Sequence, residues 1–187
     1  WAAVALLLAG LAVAAAAGLF PACTRAPATA APTVIQNAAE PTIPDGEIIV
    51  MSLNLAHGRK LAKTQGHQRR ATIEANLKDI AAVLEREQPH VVALQEADAD
   101  SWWNGRFNHA AYIAEQAAFP FAVVGEHISG WGLHYGSGFI ARVPLQDVTA
   151  HTFHREKPYF SKGFTVATVP LSPGQDVDVV ADRKSVV

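Results

Sequence analysis

Pro89-His90-Val91-Val92-Ala93-Leu94-Gln95-Glu96-Ala97-Asp98 is the stretch on which the fold turns. Proline closes any helix that precedes it, and Val91-Val92-Ala93-Leu94 is short, continuous and β-branched at its start, the pattern of a strand buried on both faces. The run breaks at Gln95 and Glu96, so two polar groups are delivered to a strand end. Upstream, residues 47–54 read Glu-Ile-Ile-Val-Met-Ser-Leu-Asn, a second apolar run with Asn54 at its exit. Between the two, Ile73, Leu77, Ile80 and Leu84 recur at spacings of four, three and four, which predicts an amphipathic helix over 69–87. Strand, helix and strand with polar exits predict a layered arrangement.

Downstream, 109–118 reads as a second helix, and 121–124, 136–142, 164–169 and 176–180 read as strands. The order is β, α, then several β, with no repeat of fixed period. The expected fold class is therefore α/β (α+β) rather than a helical bundle.

The bulk numbers narrow the function. The chain has 187 residues, fifteen Lys plus Arg against seventeen Asp plus Glu, a net charge of -2 and one cysteine. No overall basic field would draw in nucleic acid, and one cysteine builds no disulfide framework. Residues 1–20 carry no charge and are apolar, long enough for a bilayer span or the apolar part of a secretory signal. Residues 1–23 are thus expected to be a signal peptide or membrane anchor. Cys23 follows the small Ala22, as at a lipoprotein cleavage site, or it is incidental. Residues 24–45, rich in Ala, Pro and Thr, are expected to be a flexible linker. Residues 46–181 form the expected domain, and 182–187 read as an artefactual tail. The protein is expected to be a monomer, exported to the cell envelope and either anchored or secreted.

Asn54 and Glu96 carry the chemistry. A charged Glu is costly to bury, so at a converging strand end it is paired or bound to a cation, and a hard oxygen suits Mg²⁺ or Mn²⁺. The plainer readings are a solvated or salt-bridged Glu and a turn-forming Asn. The surrounding residues favour the first. Ser52-Leu53-Asn54-Leu55-Ala56-His57-Gly58 and the stretch from Pro89 to Asp98 resemble the first two motifs of the endonuclease/exonuclease/phosphatase family. His134-Tyr135-Gly136-Ser137-Gly138-Phe139-Ile140-Ala141-Arg142 is similar to the family's glycine-led strand, with Ser137 where many members have Asn or Thr.

That resemblance implies part of a four-layer α/β sandwich, its C-terminal half missing, that hydrolyses a phosphate ester by in-line attack of water at one Mg²⁺ or Mn²⁺. It implies Glu96 and Asn54 at the metal, a catalytic set of Asn54, Glu96, His134 and Tyr135, and His57 and Lys162 against the substrate. His57 capping a turn, His134 on the surface, Tyr135 in the core and Lys162 solvated are the alternatives. His151 and His154, three apart with no third ligand nearby, read as ordinary loop or strand residues. Trp102-Trp103 would stack a base, touch a lipid headgroup or roof the core.

The family's later Asp-x-Asn motif and terminal Asp-His pair, which supply general base and water orientation, do not occur in these 187 residues. The chain alone is therefore expected to be an inactive fragment of a phosphodiesterase or nuclease; the alternative is an exported, membrane-tethered binding module of the same fold. Nucleic acid, a lipid headgroup and a small phosphate ester all remain open as substrate.

Overall fold

The computed structural model describes residues 29–30, 32–42, 44, 46–63, 68–153 and 160–182. The expectations for the leader and Cys23, for His154 and for 183–187 lie outside the described residues. The centre of the molecule is β4, Val91–Asp98, whose first four side chains are all buried. β4 runs parallel to β3, Val50–Asn54, in the register Val50 to Val91 through Asn54 to Gln95. Parallel neighbours need a crossover, and helix α1, Arg70–Glu87, supplies it. Its predicted stripe is real: Ile73, Leu77 and Leu84 are buried, joined by Ala81. The helix stops at Gln88, which takes a left-handed conformation and donates its backbone N–H to the Leu84 carbonyl.

Beyond β4 the chain forms helix α2, His109–Gln116, and a long hairpin, β5 Phe121–Gly130 and β6 Leu133–Ala141. Trp131 and Gly132 turn the hairpin, both with positive φ, as a two-residue hairpin turn demands. β2, Thr33–Gln36, lies outside β5, so the five-stranded sheet has the order β2-β5-β6-β4-β3. A second sheet holds β7 Gln146–Thr152, β8 Gly163–Ser172 and β9 Gln175–Asp182, with the two-residue β1, Thr29–Ala30, beside β7.

The helices cover one face of the five-stranded sheet through Leu77, Leu84, Ile113, Val92, Leu94, Val124 and Ile140. The opposite face carries Val91, Ala93, Phe139 and Ala141, which cluster with Ala167, Val169, Val179 and Ala181 of the second sheet. Each fully buried Leu, Ile or Phe in these layers contributes about 1.5–3 kcal/mol. Gly125 lets the sheets approach, since a Cβ there would stand 2.6 Å from that of Ala150. The architecture is the expected mixed α/β sandwich.

The expected boundaries need correction. Residues 24–45 are not unstructured throughout: Thr33–Gln36 pairs with β5, Asn37 donates N–H and Nδ2–H to the carbonyls of Pro120 and Phe119, and Thr42 donates to that of Arg142. The strand's sign in the sequence is the short β-branched run Thr33-Val34-Ile35, too brief to stand out from the Ala- and Pro-rich surroundings. β7 likewise went unread: Val148, Ala150 and Thr152 alternate with Asp147, Thr149 and His151, but only Val148 and Ala150 are apolar, too weak a period to stand out. Boundaries moved as well: β3 starts at Val50 rather than 47, and β5 runs six residues past Val124.

Candidate active site

The site is built where β3 and β4 end side by side. β4 carries a bulge against β6: Gln95 pairs with Ser137 and Ala97 with Gly136, so Glu96 is the extra residue of the bulge. Glu96 sits at φ 52°, a left-handed conformation that costs a non-glycine residue about 1–2 kcal/mol. The bulge re-aims its carboxylate, which is 15% exposed, across the sheet toward β3.

There Asn54 meets it, the Nδ2 donating to Glu96 Oε1 at 3.0 Å. The other end of the amide is fixed too, because Asn54 Oδ1 accepts the backbone N–H of Ala56 at 2.8 Å. Asn54 therefore turns its N–H side to Glu96 and orients the carboxylate. This modifies the expected role of Asn54 as a metal ligand, since its oxygen is turned to the backbone.

After Leu55 the chain makes a tight turn in which Ala56, His57 and Gly58 all have positive φ. Glycine is required at 58, where a Cβ would lie 2.6 Å from Ile73 Cγ2. The turn drives His57 inward. Its Nε2 stands 3.3 Å from Glu96 Oε2, and its Nδ1 is 2.7 Å from Oδ1 of the fully buried Asp98. Trp103 Nε1–H donates to the second Asp98 oxygen at 2.7 Å. The rings of Trp103 and Tyr135 stand edge-on to the imidazole, at 5.3 and 5.0 Å between centroids.

Behind this layer lies His109, buried at the start of α2, with Asn104 Nδ2 donating to its Nε2 at 3.0 Å. Burial pushes its pKa down to about 4; the negative Asp98 opposes that shift and His57 adds to it.

Of the expected site residues, Asn54, Glu96, His57 and Tyr135 come together. His134 does not join them: its Nδ1 faces Glu126 Oε2 at 2.8 Å and Ser129 Oγ at 3.4 Å within the hairpin. Lys162 is half-buried just before β8, where its carbonyl accepts the Phe153 N–H, outside the contacts around Glu96. His151 stacks on Phe164 at 4.8 Å, a structural role. Trp102 is 54% exposed while Trp103 is half-buried against His57, so the pair divides between surface and site. Asp98 was missed as a site residue, although it lies in the same motif two residues after Glu96.

Among the described residues no group of three or more His, Cys, Asp or Glu is arranged to hold a metal ion. The donor set still suits a hard cation that keeps most of its water. Glu96 supplies two carboxylate oxygens, one facing Asn54 and one facing His57, whereas both oxygens of Asp98 are held by His57 and Trp103.

The parallel β3–α1–β4 unit ending in a fixed carboxylate, backed by a second sheet, belongs, by family match, to a fold of the phosphoesterase and nuclease type. The sequence model of the Endonuclease/Exonuclease/phosphatase family matches residues 51–174, and the chain belongs to that family. Among solved structures it is similar to the endonuclease/exonuclease/phosphatase family protein from Leptotrichia buccalis C-1013-b, with a TM-score of 0.54, 16% identity, and 74% of this chain and 54% of that one covered. It is also similar to the endonuclease/exonuclease/phosphatase from Beutenbergia cavernae DSM 12333, with a TM-score of 0.53, 22% identity, and 72% and 37% covered. At these identities the likeness is one of fold, and the chain spans only part of either protein. No curated protein matches it significantly.

Proposed function

We propose that the chain carries the metal-binding end of a divalent-metal-dependent phosphate-ester hydrolase acting on phosphodiesters. The observation that carries this reading is the Asn54–Glu96 contact at 3.0 Å, an amide and a carboxylate from strands 42 residues apart, in a chain of this family. Glu96 would hold Mg²⁺ or Mn²⁺ through its oxygens, with Asn54 setting the rotation of the carboxylate. The ion, when bound, offsets charge that builds on the phosphoryl oxygens during in-line displacement. Tyr135 and Trp103 pack edge-on against His57 and would shield it from water, which would strengthen the polar contacts there. Residues 1–20 would export or anchor the domain, placing the site at the cell envelope, where nucleic acid, lipid headgroups and small esters are all candidate substrates.

The test is hydrolysis of bis(p-nitrophenyl) phosphate with Mg²⁺ or Mn²⁺, with and without EDTA, by the complete protein, wild type and Glu96→Ala. Metal-dependent turnover lost in the variant is the expected result. Undiminished activity in Glu96→Ala overturns the assignment, and metal-dependent phosphodiester binding without turnover would assign the fold to recognition instead.

A further inference from the structure

We propose that His57 is a second protein ligand for the cation, held ready by Asp98 and Trp103; the inference rests on the reading of Glu96 given above. An ionised carboxylate only accepts hydrogen bonds, so the 2.7 Å contact between Asp98 Oδ1 and His57 places a proton on Nδ1. Asp98 cannot rotate away, because Trp103 Nε1–H holds its other oxygen at 2.7 Å and the side chain is fully buried. The imidazole is fenced by the Trp103 and Tyr135 rings, and its backbone is locked at φ 55°. With Nδ1 committed, Nε2 faces Glu96 Oε2 at 3.3 Å.

That separation is informative. A charge-assisted N–H to carboxylate bond closes to about 2.7–2.9 Å. Two adjacent ligands, each about 2.1 Å from one ion, lie about 3.0 Å apart in an octahedron and about 3.4 Å apart in a tetrahedron. At 3.3 Å the contact is looser than a closed charge-assisted bond and lies between the two ligand spacings, so an ion taking the place of a proton on Nε2 fits between the two side chains. A carboxylate that fixes one imidazole nitrogen while the other points to the ion site is the usual support for a metal-bound histidine. Asn54 on Oε1 and His57 opposite Oε2 then bracket Glu96 from both sides. The nitrogen donor favours Mn²⁺ over Mg²⁺.

The experiment is a Mn²⁺ titration of the full chain followed by electron paramagnetic resonance, with electron spin echo envelope modulation at saturation. Wild type is expected to show ¹⁴N modulation from an imidazole, and His57→Gln to lose it and weaken Mn²⁺ binding at least tenfold. Asp98→Asn is expected to weaken Mn²⁺ binding by about 10–100-fold, with a smaller effect on Mg²⁺. Mn²⁺ bound without ¹⁴N modulation, or modulation that persists in His57→Gln, overturns the role of His57 while leaving that of Glu96 standing. Absence of binding in the wild type, or binding undiminished in Glu96→Ala, overturns the reading of Glu96 as well. The wild-type spectrum requires no variant to fold.

Discussion

His109 makes the protein acid-sensitive by a calculable amount. Its ring is fully buried, and its pKa falls from 6.5 to about 4, first because burial penalises the charged form. The unfolded chain takes up this proton near pH 6.5, while the folded chain resists until about pH 4. Stability from the neutral ring is thus intact above pH 6.5, declines as pH falls through the interval, and is fully lost below about 4. Between pH 7 and pH 4.5 the loss is about 2–3 kcal/mol, at 1.36 kcal/mol per unit of pKa difference. Urea unfolding followed by tryptophan fluorescence reads this as a lower midpoint, by about 0.7–3 M for a slope of 1–3 kcal/mol/M. His109→Gln cannot take up the proton and should lose correspondingly less between the two pH values. Equal losses in the wild type and the variant would show that His109 is not held neutral by burial, and the account would fail.

Three further outcomes follow from packing and local geometry. Gly58→Ala, at φ 72° and with its Cβ 2.6 Å from Ile73 Cγ2, should destabilise by more than about 1 kcal/mol and weaken Mn²⁺ binding by displacing His57; unchanged denaturation and metal titrations would contradict this. Leu84→Ala removes a fully buried side chain from the α1 face and should cost about 2–5 kcal/mol in urea unfolding. Trp103→Phe keeps a ring but leaves Asp98 Oδ2 without its donor, which should cost about 1–3 kcal/mol by the same assay; a neutral result would mean that a neighbouring donor replaces the indole.

What the sequence disclosed follows physical lines. Asn54 and Glu96 were readable because each ends an apolar run, and the α1 stripe was readable because helical burial repeats along the chain. Asp98 was not, because its burial depends on His57 and Trp103 arriving from elsewhere. The separation of His134 from Tyr135 has a simple cause: neighbours on a strand point to opposite faces, so only one of them meets His57, and that one is Tyr135. The pairing of Thr33–Gln36 is easily overlooked because its β-branched run, Thr33-Val34-Ile35, is only three residues long and sits among Ala and Pro.

That last pairing matters for how the protein is handled. Thr33–Gln36 occupies the free rim of β5, a ten-residue strand whose neighbour on the other side is β6. A version trimmed to begin at residue 46, where composition alone would cut, strips this cover and presents open amides and carbonyls to any passing chain. Such a rim invites self-association, so the Ala- and Pro-rich stretch that looks dispensable acts as the molecule's selvedge.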